Sequence, residues 1–194
     1  IPFPCTLARR ALVKEMGYTK NYIARSMVMK KTNLIGLIVA NIDNPFMSEL
    51  AYHIEMRARE RGYNLMLCNS SHDLDIERDV FELLVSRQAD GIIIVPANSE
   101  SFDTLKQLVQ KVPTVFVSEN LRDEPESYIS VDNYRGTHIG TEYLYSLGHK
   151  KILYFGLRKA SVTHQMRAVG YIDACRELGI ETNILYSNYQ QSST

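Results

Sequence analysis

The reactive side chains of this 194-residue chain do not stand at the spacings of a catalytic site. Gly36, Gly62, Gly91 and Gly136 are isolated from one another, so the chain has neither a dinucleotide-type nor a Walker-type phosphate loop. The G-x-S-x-G turn that presents a hydrolase nucleophile is also absent. An α/β enzyme that acts on a nucleotide would need one of these loops or a catalytic pair. We therefore predict that the protein is not an enzyme.

Candidate metal ligands are scattered as well. The five histidines show no two-His metal spacing on one helix, and we expect surface or satisfied core roles for them. The acids of HDLDIERD (72–79) resemble a calcium loop, but the glycine that its turn requires is missing. A helix cap by Asp73 or Asp75 is the preferred interpretation. The three cysteines are too far apart for a zinc site or a disulfide framework, so the sequence predicts no metal and no cofactor.

Charge is unevenly distributed along the chain, although the formal net charge is zero. Residues 1–31 contain seven Lys or Arg and one acid, which gives +6, whereas the remainder contains fifteen bases and twenty-one acids, which gives −6. A basic arm on an acidic body suits a protein of which only one end meets the phosphates of a nucleic acid. A solvated basic helix is the alternative that charge alone leaves open.

From residue 34 onward, short apolar runs alternate with amphipathic stretches. The runs are rich in Ile, Val and Leu, as in strands that are buried on both faces of a parallel sheet. They are LIGLIVA (34–40), NLMLCNS (64–70), GIIIV (91–95), TVFVS (114–118) and KILYFG (151–156). After Pro45, apolar residues at every fourth position predict a helix that follows the first strand. The pattern predicts an open, doubly wound α/β sheet that binds ligands at the carboxyl ends of its strands.

Hydropathy and the two ends of the sequence predict a cytoplasmic protein that is truncated. The chain has no run of about eighteen or more apolar residues and no secretory signal pattern, so we expect neither membrane insertion nor export. It begins without methionine and stops in NYQQSST soon after a further predicted strand. A second lobe is therefore expected to begin near residue 157 and to be incomplete.

Five segments together resemble the LacI/GalR, or lactose-repressor, family of transcription regulators. In chain order they are GYTKNYIARSMVMKKTNLIGLIV (17–39), NIDNPFMSEL (41–50), RQADGIIIVP (87–96), SVDNYRGTHIGTEYLYSLGHKKILYFG (130–156) and THQMRAVGY (163–171). The resemblance implies a type I periplasmic-binding-protein-like core that follows the end of a helical DNA-binding headpiece. It implies headpiece remnant and hinge helix at 1–32, an amino-terminal lobe at 33–156, and the start of a carboxy-terminal lobe at 157–194.

The basic arm matches the hinge segment of this family, which becomes a helix on operator DNA and wedges an apolar side chain into the minor groove. The residues that the resemblance assigns to DNA contact are Tyr18, Asn21, Ala24, Arg25 and Met27. Met27 occupies the wedge position, where leucine is usual, and core packing is the alternative for it. Lys20 departs from the family, which commonly has proline there.

The core is expected to hold an effector, which the resemblance implies is a sugar or a related metabolite. The residues assigned to the effector are Phe46, Met47, Asp132, Thr163 and Arg167. Phe46 and Met47 follow the first strand, where the family stacks an aromatic or apolar side chain on the ligand. Arg167 matches the arginine that grips the effector, with Thr163 one turn before it, and Asp132 is a candidate hydroxyl acceptor. Core packing of Phe46 and a plain surface charge at Arg167 are the alternatives.

The resemblance implies a homodimeric, ligand-controlled repressor whose partners are operator DNA and a small molecule. The recognition helix is missing from this sequence, so we expect no specific operator binding by the chain as it stands. An exported or periplasmic sugar-binding protein of the same fold is the alternative. It would need a signal peptide and would not need the basic arm, so the arm favours the repressor.

Overall fold

The computed structural model of the protein describes residues 31–98, 100–117, 127–157 and 162–187. From residue 33 onward these residues belong to one compact unit. The predicted headpiece remnant and nearly all of the predicted hinge lie outside the described residues. Within the described part of the chain, no helix has both the length and the apolar character needed to cross a membrane.

The first sheet has five parallel strands in the order β2–β1–β3–β4–β5. The strands are β1 (Leu34–Val39), β2 (Asn64–Asn69), β3 (Gly91–Ile94), β4 (Thr114–Val117) and β5 (Tyr128–Ile129). The helices between them are α1 (Pro45–Glu60), α2 (Leu74–Ser86) and the short α3 (Ser101–Leu105), with a 3-10 turn at Val109–Lys111. The chain runs outward from β1 to β2 and then returns past β1 to β3. This order confirms the predicted doubly wound sheet.

Both faces of β1 are buried because its side chains alternate between two layers of helices. On one face, Leu37 and Val39 share an apolar cluster with Ala51 of α1. On the other face, Ile38 shares a cluster with Phe81 of α2. Helices on both faces leave the edges of the sheet, and not its faces, for a binding site.

A second sheet consists of the parallel strands β6 (Leu153–Leu157) and β7 (Asn183–Ser187). The connection between them contains α5 (Val162–Leu178), whose Tyr171 and Cys175 form a buried cluster with Ile152. Before β6, α4 (Asn133–Ser146) packs along α5. The second sheet is therefore organised around α5.

This second sheet differs from the lobe boundary that the sequence predicts. The run 151–156 is predicted to belong to the first lobe, yet the strand covers 153–157 and pairs with β7. The predicted boundary between residues 156 and 157 thus falls inside β6. An apolar run predicts a buried strand but not the strand with which it pairs. By strand pairing, the division lies between β5 and β6.

Candidate functional site

The loops that follow β1, β2 and β3 are joined by hydrogen bonds at the carboxyl edge of the first sheet. The Ile42 amide donates to Asn69 Oδ1 at 3.2 Å, and the His72 amide donates to the Ala40 carbonyl oxygen at 3.0 Å. His72 Nδ1 lies 3.4 Å from the Ala97 carbonyl oxygen. The three loops therefore form one hydrogen-bonded rim, at the edge where an open α/β sheet binds its ligand.

Phe46 stands on this rim, in the first turn of α1. Asn44 caps the helix by accepting the Phe46 amide at 2.9 Å, and Pro45 begins the helix. The Phe46 side chain is exposed, with 52% of its surface accessible, so the core-packing alternative does not describe it. Its neighbour Met47 is half-buried and packs against the cluster of β1 and α1. Of the two residues predicted here, Phe46 is the more exposed, so its side chain is the one available to a ligand.

The loop after β2 carries polar residues in an uncommon backbone conformation. Ser71 and His72 have positive φ angles of 54° and 60°. Consecutive non-glycine residues in this region are strained, and such strain concentrates at functional sites. Asn69 Nδ2 donates to Ser71 Oγ at 3.0 Å, which ties the loop to the end of β2.

The helix cap predicted near this loop is confirmed. Asp73 accepts the Asp75 amide at 2.8 Å and the Ile76 amide at 3.0 Å through Oδ1. Asp73 is therefore the capping residue, whereas Asp75 lies within the first turn of α2. The cap explains the acid at Asp73, and the helix dipole favours the acid at Asp75.

Glu77 of α2 is fully buried beside the rim. Its Oε2 accepts the Ala97 amide at 2.6 Å. Burial raises the pKa of the Glu77 carboxyl, and hydrogen bonds from the Ser101 side chain and the Ala97 amide oppose the rise. Within the described residues, Oε1 has no hydrogen-bond partner. Ala97 is therefore held at two points: its amide donates to Glu77, and its carbonyl oxygen lies near His72.

Sequence reasoning missed Glu77, because an acid near the start of a helix is the ordinary partner of the helix dipole. The position of Glu77 in the helical repeat of α2 nevertheless carried a signal. Phe81 and Leu84 lie four and seven residues further along α2 and are buried, and this spacing places Glu77 on the same face.

A second group of polar side chains lies at the amino ends of α4 and α5. Asp132 caps α4 by accepting the Arg135 amide at 2.9 Å. The next residue, Asn133, accepts a hydrogen bond from Arg167 Nε at 2.7 Å through its Oδ1. The structure thus brings the predicted residues Asp132 and Arg167 together through Asn133, which the sequence did not single out. Thr163 lies one turn before Arg167 but is only 6% exposed, whereas Arg167 is exposed.

The Arg167 guanidinium is the positive centre of this second group. Burial lowers the pKa of His164, and the charge of Arg167 lowers it further. Burial raises the pKa of Tyr154, and Arg167 opposes that rise. The bond to Asn133 uses Nε, and a guanidinium carries further N–H donors in the same plane. The group is therefore suited to holding hydroxyl or anionic oxygens.

These groups are suited to binding a small molecule: an exposed aromatic ring lies at one sheet edge, and an arginine is bonded to an asparagine at the adjoining ends of two helices. Apolar surface with a few fixed polar groups is the usual composition of a small-molecule site. The predicted DNA-contacting residues Tyr18, Asn21, Ala24, Arg25 and Met27 all lie outside the described residues.

Comparisons with known proteins agree with this chemistry. Residues 32–188 match the family of periplasmic binding proteins and sugar binding domain of LacI family. The HTH-type transcriptional regulator DegA of Bacillus subtilis is 31% identical over 173 residues, which cover 87% of this chain and 51% of that protein. The ribose operon repressor of Escherichia coli is 29% identical over 173 residues, which cover 88% of this chain and 52% of that protein. The chain thus spans about half the length of these curated relatives.

One similar solved structure contains a sugar. It is the periplasmic binding protein/LacI transcriptional regulator from Alkaliphilus metalliredigens, complexed with D-xylulofuranose. The TM-score is 0.69 at 31% identity, and the match covers 82% of this chain and 58% of that structure.

Proposed function

Because this chain belongs to the family of periplasmic binding proteins and LacI-type sugar-binding domains, we propose that the full-length protein is a ligand-responsive, DNA-binding transcriptional repressor. The ligand that we propose is a sugar or a related metabolite. The observation that carries the proposal is the Arg167–Asn133 hydrogen bond beside the Asp132 cap. It supports the proposal because it fixes a charged donor on the residue that follows Asp132 in sequence, and charged donors and carboxylates make strong hydrogen bonds to hydroxyl groups.

In the proposed effector site, Phe46 stacks on the apolar face of the ligand, and Arg167 and Asp132 bind its hydroxyl groups. The α4 cap uses Oδ1 of Asp132, and a carboxylate has a second oxygen that accepts a hydroxyl donor. Met47 and Thr163 stay in the proposal in a supporting role, because Met47 packs into the core and Thr163 is buried.

The DNA-binding half of the proposal rests on the basic arm and on the relatives. Residues 1–31 carry a net charge of +6, and the similar proteins are named as a transcriptional regulator and an operon repressor. We propose minor-groove insertion by Met27, and contacts to DNA by Tyr18, Asn21, Ala24 and Arg25. The alternative, an exported sugar-binding protein, does not need such an arm.

Three further properties belong to the proposal: the protein is a homodimer, it works in the cytoplasm, and it has no catalytic activity. Exposed Tyr52 and Met56 on α1, at 58% and 36% accessibility, provide apolar surface for the dimer contact. The relatives are named as regulators, which supports a role without catalysis.

The test uses the full-length protein and its Arg167→Ala variant. A thermal-shift screen begins with D-ribose and D-xylulose, and the sugar that raises the melting temperature is titrated calorimetrically. An arginine–hydroxyl bond contributes roughly 1.5–3 kcal/mol, so Arg167→Ala should weaken binding by about tenfold to a hundredfold. Arg176→Ala is the matched control, because Arg176 is also exposed on α5 but pairs with Asp173 at 2.7 Å.

Two outcomes oppose the proposal. If Arg167→Ala binds the sugar as tightly as the wild type, Arg167 is only a surface charge. A gel shift with the DNA upstream of the protein's own gene tests the other half. Sugar binding without any operator binding by the full-length protein would favour the exported sugar-binding protein.

A further inference from the structure

Helices α4 and α5 run side by side in the same direction and in a fixed register. The helices approach each other closely at Gly170, because a Cβ atom there would lie 2.2 Å from the Tyr134 carbonyl oxygen. One turn further along α5, the Tyr134 hydroxyl donates to Asp173 Oδ2 at 3.2 Å. The next step of this ladder pairs His138 of α4 with Glu177 of α5.

At that step, one imidazole lies between two carboxylates. His138 Nε2 is 3.1 Å from Glu177 Oε2, and His138 Nδ1 is 3.4 Å from Glu142 Oε2. One donor atom from each of the three residues can be chosen so that all three lie within 4.8 Å of one another. The His138 side chain is only 15% exposed, so the cluster has a nearly enclosed nitrogen ligand that a purely acidic surface patch lacks.

In the part of the chain that the structure describes, no lysine or arginine pairs with the two carboxylates of this cluster. Among the described residues, the ion pairs of Glu142 and Glu177 are made with His138 alone. Arg176, the neighbour of Glu177 in sequence, is paired with Asp173 instead. Two carboxylates without a basic partner, grouped around an imidazole nitrogen ligand, attract a metal cation.

We propose that His138, Glu142 and Glu177 form a binding site for a divalent transition-metal ion of the zinc class, which bridges α4 and α5. Zinc takes imidazole nitrogen and carboxylate oxygen at about 2.0–2.2 Å, and a tetrahedron of that size separates its ligands by about 3.3 Å. Glu177 faces Nε2 and Glu142 faces Nδ1, so one of the two exposed glutamates has to rotate towards the other for both to bind an ion at one imidazole nitrogen. Water completes the coordination.

The nitrogen ligand decides which class of ion fits. Magnesium and calcium prefer a set made of oxygen atoms only, whereas imidazole favours zinc, cobalt and nickel. The ligands come from two helices, so they are close together only when α4 packs on α5. The ion would therefore bind the folded protein and not the unfolded chain. Zinc should therefore raise the melting temperature. None of the three residues is among the proposed effector or DNA contacts.

The experiment titrates zinc into the full-length protein after removal of metal with a chelator and dialysis. Cobalt serves as a second probe because its visible absorption reports coordination. The variants are His138→Ala and Glu177→Gln, and His149→Ala is the control, since His149 is exposed and outside the cluster. Glu177 is 62% exposed, so Glu177→Gln leaves the fold intact even if His138→Ala loosens the helix pair.

We expect one zinc ion per chain at this site, and a loss of affinity of at least about tenfold in both cluster variants, since even outer-shell changes cost that much. The cobalt absorption should disappear with His138→Ala and persist with His149→Ala. The proposal is overturned if wild type and both cluster variants bind zinc equally, or if magnesium or calcium binds as tightly as zinc. It is also overturned if wild type binds no zinc.

Discussion

The two parallel sheets are built from the same βα units, but they bury their strands to different extents. In β1, Leu37 and Ile38 point to opposite faces and both are inaccessible. In β6, Tyr154 packs against the cluster of α5, whereas Leu153 and Phe155 are 59% and 64% exposed. Within the described residues, helices cover both faces of the first sheet and one face of the second.

The difference shows that an apolar strand is buried on both faces only where a second layer of helices packs on it. The first sheet obtains its stability from a core between α1 and α2. The second sheet depends on α5 and on the close contact between α4 and α5. Equal substitutions in the two regions should therefore have unequal effects.

The largest effect is expected for a phenylalanine in the first sheet's core. Phe81→Ala should lower the free energy of unfolding of this chain by about 3–5 kcal/mol, because it removes a fully buried ring and leaves a cavity. Phe155→Ala is the same truncation on the exposed face of β6, and it should change the free energy by no more than about 0.5 kcal/mol. Urea denaturation followed by circular dichroism measures both. Equal losses would mean that the face of β6 is covered, and the contrast between the sheets would fail.

A smaller effect is expected where α4 meets α5. Gly170→Ala places a methyl group against the Tyr134 backbone, so the helices must separate, at a cost of about 1–3 kcal/mol. Gly140→Ala on α4 is the matched control, since nothing lies within 4 Å of its added Cβ. The control should gain up to about 1 kcal/mol from helix propensity. Thermal unfolding of both variants checks this, and a neutral Gly170→Ala would contradict the close contact.

The smallest effect is expected at Glu77, as a change in pH dependence. Its pKa is raised in the folded state above the ordinary value of 4.5. Above that value the folded state retains a proton that the unfolded state has released, so stability falls as pH rises towards the folded pKa. The slope for one proton is at most about 1.4 kcal/mol per pH unit.

Glu77→Gln should remove this slope and gain stability relative to wild type as the pH rises above 4.5. Denaturation curves at several pH values measure it, with Glu82→Gln, an exposed residue of α2, as the control. Parallel profiles for wild type and Glu77→Gln would show that Glu77 does not hold its proton in the folded state.

Much of the first sheet can be predicted from the sequence, because the composition of its strands identifies them. The runs at β1, β2, β3 and β4 are dense in β-branched and aliphatic residues, and the structure places strands there. Tyr128–Ile129 was missed, since two residues are too few to show a period. The pairing of β6 with β7 was missed because strand partners are a property of the whole fold.

The candidate site was predictable only where one residue carries the signal. Phe46 and Arg167 came from their match to family positions, and both are exposed in the structure. Asn133 gained its role because α5 brings Arg167 against it, across 34 positions of sequence. The His138 cluster also joins two helices, and a search for paired histidines on one helix does not find it.

The hydrogen bond from Arg167 to Asn133 has an entropic consequence as well. A ligand that orders a long side chain loses about 0.5–1.5 kcal/mol of its binding free energy in doing so. In this protein, folding already fixes Arg167 Nε at 2.7 Å from Asn133 Oδ1, so the guanidinium plane is oriented before any ligand arrives. A small rigid polyol would therefore meet N–H donors that are already oriented. The packing of the two helices would then decide which ligand shapes fit these donors.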